Sequence, residues 1–186
     1  MNNTNNKTYT VRPGDTLWKI ANMHQVGLSE LINANKQVPN PSLIYPGQTI
    51  NIPIASGFGS IEQEIVKLVN KERTNRGLNP LTENWELSRV ARIKSQDMAS
   101  NNYFSHNSPV YGTPFEMLNS FGIKYTQAAE NIASGQQNAE QVMNSWMNSS
   151  GHRANILNPN LTNIGVGVAR KGTSGPLYFT QIFTRN

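Results

Sequence analysis

The sequence of 186 residues contains no cysteine, which excludes disulfides, cysteine nucleophiles and thiolate metal ligands. This absence leaves the redox compartment open, because many exported proteins also lack cysteine. Long apolar runs are missing too: none approaches the roughly 18 to 20 residues that cross a bilayer. The sequence therefore encodes no transmembrane segment. The opening residues, MNNTNNKTYT, lack the apolar stretch of about 7 to 15 residues that a signal peptide needs. Either the protein is used inside the cell that makes it, or a signal has been removed.

Charged side chains are also few, at 15% of the sequence, and the 16 basic ones outnumber the 11 acidic ones. The basic residues are spread along the chain: residues 1–53 hold four basic and two acidic side chains, and the rest hold twelve and nine. No basic stripe or stacking platform accompanies the net charge of +5, so we expect no binding of nucleic acid. A weak, distributed positive field suits an anionic polymer such as cell wall or polysaccharide.

Residues 8–53 are predicted to form a small βααβ module, preceded by a patternless polar tail over residues 1–6. TYTV is a short strand, and after the turn RPGD the helix TLWKIANMH carries Leu17, Ile20 and Ala21 on one face. Asp15 is the predicted N-cap of this helix, and Ser29 that of a second helix, ELINANK. The alternating run TINIPI is the closing strand.

A Gly/Ser-rich stretch, ASGFGS, lies within a predicted linker over residues 54–60. The segment 61–186 then has helical periodicity for most of its length and ends in two alternating runs, NIGVGVAR and PLYFTQIFT, around the turn KGTSG. Helices first and a terminal hairpin last indicate an α+β fold. The apolar stripe of the first helix is predicted to consist of Ile61, Ile65, Leu68 and Val69.

The later helices have clear start signals. Thr113, Pro114 and Glu116 have the spacing of a cap, a first-turn proline and a capping-box acid, and Asn138 caps NAEQVMNSWM. The second helix, ENWELSRVARIKSQDMASNN, places Leu87, Val90, Ala91 and Met98 together. Two tryptophans, Trp85 and Trp146, are predicted to be core anchors.

The first module resembles the LysM family in YTVRPGDTLWKIA, LINANK and LIYPGQTINIP. The resemblance implies binding of N-acetylglucosamine-containing glycans, chiefly peptidoglycan or chitin, in a shallow groove between two loops. The implied glycan-binding residues are Gly14, Asp15, Thr16, Leu17, Ser42, Leu43, Ile44 and Tyr45. The alternative is that Leu17, Leu43 and Ile44 belong only to the core and that Asp15 only caps a helix.

The second module resembles the bacterial branch of the CAP superfamily, also called SCP-like. The matching motifs, in family order, are LVNKERTNRGLNPL, NYFSHNSP, GTPFEML, AENIASG and SWMNSSGHRANILNPNLTNIGVGV. The resemblance implies an αβα sandwich with a central cleft lined by two histidines and two glutamates. The family's disulfides have no counterpart in this sequence.

Three cleft residues carry over by position: His106, Glu130 and His152. The second glutamate is missing, and Ser149 stands near its place. Glu116 is a nearby carboxylate, but its capping-box position favours a helix role. We expect Arg153 to pair with a surface carboxylate rather than to bind an anionic ligand.

Three interpretations of the cleft remain open from sequence. In the favoured one, Glu130 orients an imidazole within a hydrogen-bonded network. In the second, His106, His152 and Glu130 hold a zinc-like divalent metal, although one carboxylate fewer weakens that case. The third is hydrolysis, for which the nucleophiles are poor: there is no G-x-S-x-G elbow, and Ser105 is adjacent to His106, where side chains diverge on an extended segment. No catalytic residue is therefore assigned.

The predicted function is that of a non-catalytic cell-wall or spore-envelope protein. The LysM module anchors it to peptidoglycan or another N-acetylglucosamine polymer, and the CAP module is a second binding or scaffold module. The pairing resembles proteins that assemble at the cortex and coat of spore-forming bacteria, where spore-coat proteins are expected partners; a secreted, wall-bound protein is the alternative location. The alternative functions are a metal-assisted hydrolase of cell-wall material and a carrier of lipid or sterol-like ligands.

Overall fold

The computed structural model describes residues 7–53 and 59–186, which belong to two units, Met1–Gly57 and Phe58–Asn186. The predicted polar tail and residues 54–58 of the predicted linker lie outside the described residues. Gly59 and Ser60, assigned to the linker from sequence, instead begin the first helix of the second unit. No helix among the described residues is both long and apolar enough to span a membrane.

The N-terminal unit has the predicted βααβ order. Its elements are β1 (Lys7–Thr10), α1 (Leu17–Met23), α2 (Leu28–Asn33) and β2 (Thr49–Ile52). The two strands are antiparallel, with Tyr9 opposite Ile50. The core consists of Val11, Leu17, Ile20, Ala21, Leu31, Val38, Ile50 and Ile52.

Both predicted helix caps in this unit are wrong by one or two residues. Thr16 is the N-cap of α1, since its side chain accepts the Lys19 N–H at 3.2 Å. Asp15 lies one residue earlier, where its carboxylate accepts the N–H of Arg12 and so closes the preceding turn. Gly27 has the extended backbone of the N-cap of α2, so Ser29 is already inside the helix and donates to Glu30 instead.

Asn35 joins the end of α2 to the closing strand. It is 2% exposed, and its side-chain amide donates to the carbonyls of Leu31 and Asn51 at 2.8 and 2.7 Å. Its side-chain oxygen accepts the Asn51 N–H at 2.7 Å. The side chain therefore replaces the backbone partners that a two-stranded sheet leaves unpaired on β2.

The C-terminal unit is a four-stranded sheet with helices on both faces. Its elements are α3 (Gly59–Thr74), β3 (Thr82–Glu83), α4 (Trp85–Asn101), α5 (Pro114–Ser120), β4 (Gln127–Ser134), α6 (Ala139–Met147), α7 (Ser150–Ile156), β5 (Asn163–Arg170) and β6 (Leu177–Arg185). The strand order is β3-β5-β6-β4, parallel at β3–β5 and antiparallel elsewhere. The predicted terminal hairpin is β5–β6, whereas β4 was not predicted.

Strand β5 shows why two helical layers are needed. Ile164, Val166 and Val168 pack in a cluster with residues of α3 and α6. The alternate residues Gly165 and Gly167 face α4. A Cβ at Gly167 would lie 2.0 Å from the backbone nitrogen of Arg92, so α4 approaches the strand closely because there is no side chain. The mixed α/β architecture and αβα layering agree with the predicted fold class.

Buried charge modifies the predicted stripe of α3. Ile65 and Val69 are buried as expected, but Ile61 and Leu68 are only partly buried, while Glu62 and Arg73 are 2% and 1% exposed. Glu62 pairs with Arg92 of α4 and accepts the Val168 N–H at 3.0 Å. The carboxylate thus covers a backbone donor of β5 beyond its short pairing with β3.

The two tryptophans differ in position. Trp146 is 1% exposed and its indole N–H donates to the Ile132 carbonyl at 3.2 Å, as expected of a core anchor. Trp85 is only half-buried, because it is the first residue of α4 and so lies at the N-terminus of the helix. The prediction of a core anchor at Trp85 is therefore wrong.

Candidate functional site

An open cavity of about 410 Å³ lies in the N-terminal unit, between the start of α1, α2 and the loop that precedes β2. It is lined by Asp15, Thr16, Leu17, Trp18, Leu28, Ile32, Pro41, Ser42, Leu43 and Ile44. We call it the groove. Six of the eight glycan-binding residues predicted from sequence line it; Gly14 and Tyr45 are not among the lining residues.

The groove is lined by both exposed and buried apolar side chains. Trp18 is 61% exposed and Leu43 51% exposed, which is unusual for side chains of this size. Leu17 is 3% exposed and belongs to the module's core, so for this residue the core interpretation is also correct. Ile44 is half-buried against the same core.

The polar groups of the groove are held in place by local hydrogen bonds. Asp15 accepts the Arg12 N–H and the Tyr9 hydroxyl, both at 2.8 Å and both through Oδ2, which leaves Oδ1 to accept from a ligand. These two bonds, the backbone one first, lower the pKa of Asp15, so the carboxylate is an anion at neutral pH. The Gly14 carbonyl accepts from the Lys19 ammonium at 2.7 Å.

Sequence reasoning missed Trp18, Leu28, Ile32 and Pro41. Trp18 had a usable signal, because it follows Leu17 and so points away from the buried stripe of α1. Large apolar side chains that are exposed close together, as Trp18 and Leu43 are around the groove, indicate a contact surface. The other three residues join the groove only through the packing of α2 and its following loop.

The C-terminal unit brings His106 and Glu130 into direct contact. Nδ1 of His106 and Oε1 of Glu130 are 2.7 Å apart. Glu130 lies on β4 with its side chain 4% exposed, whereas the His106 side chain, in the loop between α4 and α5, is 51% exposed. A buried carboxylate therefore orients an accessible ring and selects which ring nitrogen faces outwards.

His152 is the third member of this cleft. It is the third residue of α7 and is half-buried. Burial lowers the pKa of His152, and the nearby His106 lowers it further. Both effects favour the neutral form of His152. Of the three residues grouped by the sequence resemblance, His106 and Glu130 are in direct contact.

Two asparagines join the strand of Glu130 to the helix of His152. Asn131, which is 0% exposed, donates to the His152 carbonyl at 3.1 Å. In return Asn155 on α7 donates to the Glu130 carbonyl at 3.3 Å and to Oδ1 of Asn131 at 2.9 Å. Sequence reasoning missed both, although Asn131 directly follows Glu130 and Asn155 lies one turn beyond His152.

The remaining candidates have structural roles. Glu116 accepts from the Thr113 N–H and hydroxyl at 2.7 and 2.8 Å, the capping box expected from sequence, and these bonds lower its pKa. Ser149 is the N-cap of α7. Arg153 donates to the Met147 carbonyl at 3.0 Å. The carboxylate partner expected for Arg153 is therefore replaced by the unpaired carbonyl at the end of the preceding helix.

The predicted metal ligands His106, His152 and Glu130 do not form a cluster of three ligands in the described part of the chain. Over residues 7–53 and 59–186, no group of three or more His, Asp and Glu side chains is arranged to hold a metal. Glu130 uses its carboxylate to hold His106 rather than converging with it on a common point. The direct bond between His106 and Glu130 is the contact expected of a hydrogen-bonded network.

Comparison with known proteins supports both modules. The LysM domain model matches residues 9–53, and the model of the cysteine-rich secretory protein family, CAP, matches residues 66–183. The chain is 54% identical over 118 residues to the uncharacterized protein YkwD of Bacillus subtilis (strain 168), covering 63% of this chain and 46% of that protein. Over 50 residues it is 46% identical to the spore coat assembly protein ExsA of Bacillus cereus, covering 27% of this chain and 8% of ExsA.

A solved structure agrees with the fold. The crystal structure of an extracellular protein containing an SCP domain from Bacillus anthracis str. Ames superposes with a TM-score of 0.65 at 33% identity, covering 76% of this chain and 47% of that one. The chain spans less than half the length of each of these three proteins. The chain belongs to the cysteine-rich secretory protein (CAP) family and carries a LysM domain before its CAP domain.

Proposed function

We propose that the protein is a non-catalytic component of the bacterial cell envelope, anchored to peptidoglycan through the groove of its LysM module. The observation that supports this proposal is the groove itself, which is lined by the exposed Trp18 and Leu43 and by the buried Leu17. Apolar side chains of this kind pack against the flat faces of sugar rings, while hydroxyls and a carboxylate select their polar groups.

The polar groups of the groove suit an uncharged N-acetylated sugar. Thr16 and Ser42 supply hydroxyls, and the Asp15 carboxylate can accept from a sugar hydroxyl through Oδ1. The lining contains no Lys or Arg. The groove itself therefore offers no cation to a carboxylate of the glycan, which favours N-acetylglucosamine over charged sugars.

We place the protein at the spore cortex or coat. The LysM module is similar to part of ExsA, whose name describes spore coat assembly, and spore-coat proteins are the proposed partners. Assembly there would combine anchoring by the LysM module with a second contact made by the CAP module.

The CAP cleft is proposed as a binding or scaffold element. Glu130 is occupied in orienting His106, and the nearest hydroxyl in sequence, Ser105, accepts the Asn107 N–H at 3.2 Å. Among the described residues, the Ser105 hydroxyl is not seen to donate to a base, whereas an activated serine donates to one. The described cleft residues thus provide an oriented imidazole without a serine hydroxyl bonded to it, which favours a binding or scaffold element.

Anchoring is tested by co-sedimentation of the full chain with purified peptidoglycan. Trp18→Ala and Leu43→Ala should each weaken binding roughly tenfold, because each removes apolar contact worth on the order of 1.4 kcal/mol. Met23→Ala is the matched control: Met23 is 57% exposed on α1 but does not line the groove, so this variant should pellet normally. Equal pelleting of all three variants would contradict the groove as the anchor.

The same tubes test for catalysis. Supernatants are analysed by mass spectrometry for released wall fragments, with and without added zinc or calcium. We expect none. Fragments that appear with the native chain and disappear with both His106→Ala and His152→Ala would establish a hydrolase and overturn the scaffold assignment.

A further inference from the structure

A lysine is buried in the CAP module behind the His106–Glu130 pair. Lys94, on α4, is 1% exposed. Burying an ammonium group costs several kcal/mol unless it is paired and hydrogen-bonded. An apolar side chain at this helix position would avoid that cost. The burial of Lys94 therefore points to a role for the contacts that its ammonium makes.

The shortest contact of Lys94 is with the main chain of a cleft residue. Its ammonium donates to the carbonyl of His106 at 2.6 Å, a charge-assisted bond. A second, longer contact at 3.3 Å reaches the hydroxyl of Tyr103, and the ammonium lies 5.1 Å from the centre of that ring. The negative charge of Glu130 also acts on Lys94. Lys94 therefore contacts one member of the pair and lies within electrostatic reach of the other.

The segment that carries His106 is attached to α4 on both sides of the histidine. Before it, the Tyr103 hydroxyl donates to Asp97. After it, the Ser108 hydroxyl donates to Asp97 at 2.6 Å. Ser108 also accepts the N–H groups of Val110 and Tyr111 at 3.0 and 2.9 Å. Asp97 thus holds the flanks, and between them Lys94 holds the His106 carbonyl.

We propose that Lys94 is a positioning residue for His106. By donating to the His106 carbonyl, the ammonium fixes the backbone of this loop where the imidazole can reach Glu130. The side chain of His106 is half exposed, and Glu130 is its hydrogen-bond partner among the described residues. The position of the His106 backbone therefore decides whether Nδ1 can reach Glu130. This positioning of His106 by Lys94 is independent of what the LysM module binds.

The test uses nitrogen-15 NMR spectra of the imidazole side chains in the full chain at pH 7. His106 is assigned by its loss in His106→Gln, and Glu130→Gln supplies the spectrum of a ring whose carboxylate partner has been removed. In Lys94→Met, we expect the His106 signals to move to their positions in Glu130→Gln, while those of His24, in the other module, stay in place. Lys94→Arg keeps a cationic donor and should restore at least part of the native pattern.

Tyr103→Phe is the matched control. It removes the second contact of Lys94 and one of the two flank bonds to Asp97, but it leaves the bond to the His106 carbonyl. The His106 signals should therefore move less than they do in Lys94→Met. A folded Lys94→Met protein with native His106 signals would overturn the proposal. So would an equal displacement of those signals in Tyr103→Phe, since the loop packing would then be responsible.

A measurement on the native chain covers the case in which Lys94→Met does not fold. A scalar coupling between the Lys94 ammonium nitrogen and the His106 carbonyl carbon reports their hydrogen bond directly. We expect that coupling, together with ammonium protons that exchange with solvent at least roughly tenfold more slowly than those of exposed Lys67, as a buried charge-assisted bond requires. Rapid exchange without coupling would contradict the proposal.

Discussion

The side chain of Asn131 holds the main-chain carbonyl of His152 at 3.1 Å. Asn155 returns a bond from the helix of His152 to the strand of Glu130. These exchanged bonds fix the spacing between β4 and α7, which carry two of the three cleft residues. The side-chain amides of Asn131 and Asn155 therefore set the positions of the two backbones that carry Glu130 and His152.

We expect Asn131→Ala to lower the free energy of unfolding of the CAP module by about 2–3 kcal/mol, because it leaves buried partners unpaired. Urea unfolding checks this value. Asn148→Ala is the control: its side chain bonds to Asn144 on the exposed surface, so the change should stay within about 0.5 kcal/mol. Equal effects of the two substitutions would contradict the role given to Asn131.

Gly167→Ala should destabilise the CAP module by about 3 kcal/mol or more, because a Cβ there meets the backbone of α4 and forces the helix off the strand. Thermal and urea unfolding measure the loss. Gly151→Ala offers the opposite case, since Gly151 lies in α7 with open space around its Cβ position. That substitution should be neutral or stabilising by about 0.5–1 kcal/mol. A tolerated Gly167→Ala would show that α4 can move away without cost.

Arg73→Met should cost about 3 kcal/mol or more, because a buried guanidinium is the shared partner of four carbonyls. Arg73 donates to the carbonyls of Asn79, Ile156, Asn158 and Leu161 at 2.8 to 3.4 Å. Arg76→Met, which removes an exposed ion pair with Glu72, should change stability by less than about 1 kcal/mol. Urea unfolding measures both values. Equal losses in the free energy of unfolding of the two variants would contradict the prediction.

The LysM module should lose stability in acid through His24. Burial lowers the pKa of His24, with a smaller effect of Lys7, and its Nε2 is buried without a partner among the described residues. A lowered pKa means that the folded state resists protonation. Stability is therefore complete above the ordinary pKa of 6.5 and falls as the pH drops below it, where the unfolded chain gains the proton first.

His24→Phe separates this effect from general acid unfolding. A phenyl ring keeps the edge-on packing against Tyr9, whose ring centre lies 5.4 Å from that of His24, and it has no proton to gain. Unfolding of the module, followed by NMR signals of Tyr9 between pH 7.5 and 5, should depend less on pH in the variant. Identical pH profiles would rule out His24 as the cause.

Local patterns predicted much of the molecule. The order of the βααβ module, the capping box of Thr113 and Glu116, the cap at Asn138 and the β5–β6 hairpin each depend on residues close in sequence. The displaced cap of α1 has a local cause as well: adjacent Asp15 and Thr16 are both good caps, and only the direction of the chain after the turn selects Thr16.

Local patterns do not predict strand β4. Its sequence, QAAENIAS, has no clear alternation, and it forms a strand because its backbone pairs with β6 from Gln127 to Ser134. The same pairing places Glu130 in the cleft. The resemblance to a family could name Glu130 and His106 as neighbours, but their 2.7 Å contact depends on a strand that has no local signal.

The sequence alone therefore determined the two modules and most of their helices and hairpin, because periodicity, capping and motif spacing are properties of short stretches. The three cleft residues were inferred from the resemblance to a family and not from these local patterns. The tertiary structure decided which polar side chains would be buried and what they would hold. Glu62, Arg73, Lys94 and Asn131 each bond to groups distant in the chain. A buried polar residue is stable only with its partners, and partners that lie on other elements exist only once those elements have packed.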